Sequence, residues 1–257
     1  MPQFSATFLG TGTSQGVPVI ACTCAVCKSG NVKDKRLRTS FLFSDGNKTI
    51  VIDTGPDFRQ QMLTNEVQMV DAVLFTHEHK DHVAGLDDVR AYNYKSGKDM
   101  EVYATLQVQE ALKREFAYVF SGFTYPGIPK VNLNEISNKI IKIGGMEILP
   151  IKVMHHNLPV TAFRVAGLTY ITDANHIDDL EKEKIIGSDI IVINALRKED
   201  HVSHFNLAQA LAFIDEMNPK KAYLTHISHY LGLHEEVSKE LPSNVEIAYD
   251  GLNISFE

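Results

Sequence analysis

His77-Glu78-His79-Lys80-Asp81-His82 is the stretch on which the reading of this 257-residue chain turns. Imidazoles and a carboxylate packed this closely cannot form a helix face or a core strand, because each is costly to bury unless it is paired or bound to a metal. Imidazole nitrogen together with carboxylate oxygen suits zinc, manganese or iron. The His-x-His-x-Asp-His spacing sends alternate side chains in opposite directions from a tight turn, so one hexapeptide can feed two adjacent ions. Outward from it, Asp71-Ala-Val-Leu-Phe-Thr76 is the β-branched and aromatic run of a buried strand, and Val83-Ala-Gly-Leu86 opens a small helical segment. The ligands therefore sit where a strand ends, which is where layered α/β folds build sites.

The same grammar recurs. Met146–Met154 leads into His155-His156, Leu168–Thr172 into Asp173, and Lys221–Thr225 into His226. Strand ends that are each followed by a ligand-type side chain are what a metal site assembled at one rim requires, so His155, Asp173 and His226 are expected to bind metal. His156 reads as a neighbour of the ligand, with the reverse assignment open. His176 and His234 read as solvated or rim residues, and Asp57 with Arg59 as an ion pair near the site or on the surface. Cys22, Cys24 and Cys27 are the chain's only cysteines and lie within one short segment. Odd and clustered, they make a poor disulfide framework, and their spacing is that of an incomplete tetrahedral site that a distant histidine could complete.

Strands are expected at 4–9, 39–43, 49–52, 70–76, 100–104, 146–153, 160–165, 168–172, 188–194, 221–225 and 252–256. Asp45-Gly-Asn-Lys48 closes a hairpin. Helical patterns fall at 57–64, 105–116, 177–185, 206–217 and 234–240. Without a clean β-α-β period, this mixture fits two sheets packed face to face with helices outside better than a doubly wound parallel sheet. Gly10-Thr-Gly-Thr-Ser-Gln-Gly16 lacks the Gly-Lys-Ser/Thr ending of a phosphate loop. Ser121–Lys130 is too aromatic for a tether and reads as an ordered loop or a cap over a site. No linker divides the chain, so residues 1–257 are expected to form a single domain. A net charge of −7 without a Lys/Arg run argues against a broad nucleic-acid surface and leaves no membrane footprint. The start of the chain lacks the basic and apolar regions of a secretory signal and no 18-residue apolar span occurs, so a soluble, cytoplasmic protein is expected.

Together, His77-x-His79-x-Asp81-His82, Asp53, His155, Asp173 and His226 resemble the metallo-β-lactamase superfamily of binuclear hydrolases across almost the whole chain. Gly10-Thr-Gly-Thr-Ser14, the cysteine cluster, Arg36-Leu-Arg-Thr-Ser40 and Leu224-Thr-His-Ile-Ser-His229 are similar to the PhnP-type phosphodiesterases, which hydrolyse cyclic phosphodiesters of ribose during phosphonate breakdown. The resemblance implies an αβ/βα sandwich. It assigns His77, His79 and His155 to one divalent ion, zinc or manganese, and Asp81, His82 and His226 to the other, with Asp173 bridging. Asp53 would orient the ligand loop by hydrogen bonds. His229 would join Cys22, Cys24 and Cys27 around a structural zinc, and His204 would be the acid and phosphate contact, with His201 the near alternative. The implied partner is a small phosphorylated substrate, and a homodimer is compatible with the sequence. A ribonuclease Z-like nuclease and a binding protein like pyrroloquinoline quinone biosynthesis protein B share much of this pattern. The first needs basic surface that the sequence lacks, and the second has no need of two open metal positions.

Overall fold

The alternating apolar runs pair as expected in the computed structural model, which describes residues 4–122 and 125–257. Six strands form in the first half: β1 (Phe4–Gly10), β2 (Ser40–Ser44), β3 (Thr49–Ile52), β4 (Ala72–Leu74), β5 (Met100–Ala104) and β6 (Val131–Glu135). Next come β7 (Ile141–Ile143), β8 (Met146–His155), β9 (Leu158–Val165), β10 (Leu168–Tyr170), β11 (Ile190–Asn194), β12 (Lys221–Thr225) and β13 (Val245–Ile247). The last strand, β14 (Asn253–Phe256), returns to pair with β1. Two seven-stranded sheets result, ordered β14-β1-β2-β3-β4-β5-β6 and β13-β12-β11-β10-β9-β8-β7.

Each sheet is antiparallel on one side and parallel on the other, with β3 to β6 parallel in the first and β10 to β13 in the second. The two halves thus repeat one plan without repeating a sequence. The parallel portions contain the β-α-β units that the sequence conceals, because several crossover helices are short. The α-helices among the described residues are α1 (Ala25–Lys28), α2 (Phe58–Thr64), α3 (Lys80–Val83), α4 (Arg90–Ser96), α5 (Leu106–Glu115), α6 (Ala117–Phe120), α7 (Asp179–Lys182), α8 (Leu207–Met217) and α9 (His234–Ser238). The longest, α8, starts at a capping box in which Asn206 accepts from the Gln209 N–H and Gln209 reaches back, and it stops at left-handed Asn218 before Pro219.

Some boundaries differ from the sequence reading. The helix expected at 177–185 covers only α7, because Lys184 and Ile185 bond three residues back and tuck Ile185 inward. Strands β6, β7 and β13 went unread because they are short edge strands carrying Asn, Lys or Glu. The segment expected to turn helical at Val83 does so three residues earlier, so Asp81 and His82 lie on α3 itself. This single turn buries His82 and Val83 and leaves Lys80 exposed. Of the expected cap, Phe123 and Thr124 lie outside the described residues, and the adjoining Pro126 carbonyl accepts from Tyr94 Oη.

Between the sheets lies an aromatic core. Phe41 stacks on Tyr170 with centroids 4.6 Å apart and meets Phe8 and Phe43 edge-on at 4.8 and 5.1 Å. Outside them, α8 packs on the second sheet, and α2, α4 and α5 cover the first. Among the described residues no helix is long and apolar enough to cross a membrane. Because Phe41 is fully buried between the layers, Phe41→Ala should cost about 3–5 kcal/mol, read from the midpoint of urea unfolding.

Candidate metal centre

The C-terminal ends of the parallel strands in both sheets meet at one rim, and the rim is stitched across by the Thr161 N–H, which donates to Thr76 O at 2.9 Å. Shortly after β3, β10 and β12 the chain passes through Asp53, Asp173 and His226 in left-handed conformations, with φ of 62°, 52° and 53°. Non-glycine residues hold such angles at a cost of about 1–3 kcal/mol each, and only where the surroundings dictate them. At Asp53 the cause is plain. Its Oδ1 accepts the Thr76 N–H at 2.9 Å, and its Oδ2 accepts the Thr76 hydroxyl at 2.8 Å and His82 Nδ1 at 2.7 Å. That carboxylate therefore fixes the entry to the motif and aims His82 Nε2 away from itself.

Nε2 of His82 points at two carboxylates, 3.1 Å from Asp173 Oδ2 and 3.3 Å from Asp81 Oδ2. His226 Nδ1 lies 3.1 Å from the same Asp173 oxygen, and its ring stacks on His82. On the other side, the ring centroids of His77, His79 and His155 are 4.6, 5.2 and 5.8 Å apart. His155 Nδ1 bonds Ser203 O at 2.8 Å and His77 Nδ1 sits 2.9 Å from Thr76 Oγ1, which leaves Nε2 of each for the centre. The sequence-predicted ligands thus converge on Asp173, and His77 also lies against His82, with ring centroids 4.2 Å apart. His156 instead occupies the exposed turn after β8, where its N–H donates to Asn175 Oδ1. His204 Nε2 approaches Asp173 Oδ1 at 3.0 Å, and its Nδ1 lies 3.1 Å from His201 Nδ1 and 3.0 Å from Ser203 Oγ.

Burial makes this cluster expensive without a cation. His77, His82, Asp173 and His226 are 0, 0, 2 and 1% exposed. His77 Nε2 is buried with no hydrogen-bond partner among the described residues, a condition native proteins seldom tolerate without a reason, and His82 Nε2 faces carboxylate oxygens without making a well-aligned hydrogen bond to either. Burial opposes charge on His82, yet the carboxylates of Asp173, Asp81 and Asp53 outweigh it and hold the imidazole's pKa well above its usual value. Burial likewise opposes charge on Asp173, but His226 and His82 keep its carboxyl far below the normal range. Burial lowers His77 and takes His226 down to about 3, so both offer neutral nitrogens. A divalent cation would replace the His82 proton, and its binding would release protons. Ligand-type atoms of His77, His82 and Asp173, and of His155, Asp173 and His204, lie within 4.8 Å of one another. Imidazole and carboxylate donors of this kind fit zinc, manganese or iron.

A second cluster is built of softer atoms. His229 Nδ1 sits 3.3, 3.4 and 3.5 Å from the Sγ atoms of Cys22, Cys24 and Cys27. The Cys27 N–H and the His229 ring draw the Cys24 thiol down to about 6, whereas burial pushes Cys27 up to about 11. Three sulfurs and an imidazole make a closed tetrahedral donor set that suits zinc.

Three surroundings differ from the sequence reading. His234 is buried, with Nδ1 3.3 Å from Arg36 Nη2, because Arg36 crosses beneath α9 to bond Thr11 and the Ala248 carbonyl. Asp57 pairs with Arg38 and not with Arg59, since Arg59 faces out from α2. His176 is exposed, as expected, but pairs with Asp178. Sequence reasoning missed the hydroxyls that back His226, Thr13 at Nε2 and Thr39 at Nδ1, both 3.1 Å away. The glycine-rich turn before Thr13 is the one signal that could have pointed there.

A family model described as a beta-lactamase superfamily domain matches residues 48–227. An octanoyltransferase from Porphyromonas gingivalis is 38% identical over 247 residues, 95% of this chain and 50% of that protein. The chain thus spans half the length of this curated relative. Among solved structures, a diphosphatase from the PhnP family superposes with a TM-score of 0.93 at 36% identity, covering 99% of this chain and 97% of that one. Zinc-bound PqqB from Methylobacterium extorquens shares the fold, with a TM-score of 0.80 at 20% identity over 97% and 99% of the two chains.

The rim tolerates no added atoms where its loops cross. A Cβ built on Gly55 lies 2.1 Å from the Asp81 carbonyl oxygen. Gly55→Ala should therefore cost about 1–3 kcal/mol and lower the bound-metal stoichiometry, measured by thermal unfolding and elemental analysis of the same sample.

Proposed function

This chain belongs to the beta-lactamase superfamily, and within it to the PhnP family, and from that membership we propose a dinuclear metal-dependent phosphodiesterase acting on a small phosphorylated molecule such as a ribosyl cyclic phosphate. The observation that carries the reading is the ring of ligand-type side chains that share Asp173 at the rim. End-to-end similarity to a PhnP-family diphosphatase supports phosphoryl chemistry over other hydrolyses.

His77, His79 and His155 would hold one ion and Asp81, His82 and His226 the other, with Asp173 serving both. Bound there, two divalent ions supply Lewis acidity to the phosphoryl oxygens and acidify a water. The chain's own contribution is orientation and proton transfer. Asp53 holds the His82 tautomer, so that Nε2 faces the centre. His204 would donate a proton from Nε2, beside Asp173, to the departing oxygen and regain one at the same nitrogen from solvent, while Ser203 Oγ and His201, both against Nδ1, hold the ring in that orientation. His204 touches Asp173 and His201 touches His204, which favours His204 as the acid and His201 as its support.

The octanoyltransferase relative does not redirect this assignment. It is twice as long, and this chain matches only half of it. A nuclease reading would need basic surface for the nucleic-acid backbone, which a net charge of −7 does not supply.

His204→Ala should slow substrates with alkoxide leaving groups about 10²–10⁴-fold, the usual worth of a positioned acid, and lose much less on bis-p-nitrophenyl phosphate, whose nitrophenolate departs unprotonated. Equal losses on both would assign His204 to phosphate binding. For the cysteine cluster we propose a structural zinc. Cys24→Ser should release that ion and lower the melting temperature, because such a site contributes folding free energy; unchanged zinc content and melting temperature would exclude it.

A further inference from the structure

The rim and the cysteine cluster share one short segment. His226 and His229 stand beyond the end of β12, in neither helix nor strand, and each faces a different donor set. His226 holds a left-handed φ of 53°, which a non-glycine residue keeps only where its surroundings dictate it. Those surroundings are the glycine-rich turn. Ile227 N–H donates to Thr11 O at 2.8 Å and Thr13 N–H to Ile227 O at 3.1 Å, while Ser228 N–H donates to Leu196 O at 3.0 Å. The Thr13 side chain then meets the ring itself. Its hydroxyl lies 3.1 Å from His226 Nε2, while Nδ1 faces Asp173 Oδ2 and Thr39 Oγ1, both at 3.1 Å.

The far end of the same turn reaches the sulfurs. Gly16 N–H donates to Thr13 O at 2.8 Å, and Val17 exchanges backbone hydrogen bonds with Arg36 at 2.7 and 2.8 Å. Beyond it, the Val19 N–H points to Cys27 Sγ at 3.4 Å, and the Cys22 N–H donates to Val19 O at 3.0 Å. Arg36 is buried and its Nη1 donates to the Thr11 hydroxyl at 2.8 Å, which pins the start of the turn as well. Val17, Val26 and Cys27 form only a small apolar cluster, and a segment of that kind gains its order chiefly from what its donors bind. An ion on the sulfurs would order Val19, the turn and His229 together. Freedom already given up at one site is not given up again at the other, so binding there becomes tighter. Resting on the proposed zinc at the cysteines and the proposed ion at Asp81, His82 and His226, the geometry points to Thr13 as a positioning residue that makes the rim's hold on its ion depend on an occupied cysteine cluster.

Titration with Mn²⁺, read from the electron paramagnetic resonance of the free ion, tests this on protein whose rim has been emptied. Wild type with zinc on its cysteines should bind Mn²⁺ about 5- to 150-fold more tightly than Cys24→Ser, the usual range of coupling between two sites. Thr13→Val should keep its zinc yet weaken Mn²⁺ about 2- to 10-fold, the worth of one neutral hydrogen bond. Thr13→Ser, which retains the hydroxyl, should bind as wild type does. In the double variant the two losses should fall short of their sum, because both act through one link. Losses that simply add would overturn the role of Thr13. Reciprocity offers a measurement that needs no variant: Mn²⁺ at the rim should raise the affinity of the cysteines for zinc by the same factor, read by competition with a zinc-selective dye. Zinc present on the cysteines but indifferent to Mn²⁺ would defeat the coupling alone. Elemental analysis that finds no zinc there would defeat the structural-zinc reading and the coupling with it.

Discussion

One buried carboxylate, Asp173, accepts or faces imidazole nitrogens of His82, His204 and His226 at 3.0–3.1 Å, and the rest of the structure is arranged so that it can. These groups come from both sheets. The rims must therefore meet closely enough for residues after β4, β10 and β12 to share one oxygen pair. The link from Thr161 to Thr76 and the left-handed turns at Asp53, Asp173 and His226 are the local devices that bring this about. Such strain persists only where the surrounding structure dictates it, and the buried aromatic layer between the sheets holds the two layers together.

The cysteine cluster is tied to the same rim through a short peptide. Ile227 exchanges backbone hydrogen bonds with Thr11 and Thr13, so the segment carrying His226 and His229 is bracketed by the glycine-rich turn. Beneath it, Arg36 contacts Thr11 and His234, and Asp250 accepts from Thr11 Oγ1 and the Leu37 N–H; burial raises Asp250 to about 6. A soft donor set and a hard one are thus separated by only His226 to His229 in sequence, yet remain distinct because sulfur and carboxylate donors favour different coordination.

Much of this was legible in the chain. Ligand-type residues announced themselves by following strand-like runs, and the hairpin at Asp45-Gly-Asn-Lys48 and strands β5 and β12 fell where apolar patterning put them. What stayed hidden had physical reasons. Edge strands such as Val131–Glu135 are half solvated, so polar residues erase their pattern. The partners of Asp57 and the burial of His234 depend on contacts to Arg38 and Arg36, and such long-range pairings leave no local trace. His204 and His201 are not separable in the sequence because both precede the same helix; of the two, His204 is the one that touches Asp173 in the fold.

Anomalous diffraction from crystals grown with zinc or manganese measures the central claim most directly. The account predicts two ions about 3.5–4 Å apart, one on His77, His79 and His155, the other on Asp81, His82 and His226, with Asp173 between them and His204 unligated. A single ion at the rim, or His204 in a coordination sphere in place of His155, would contradict it.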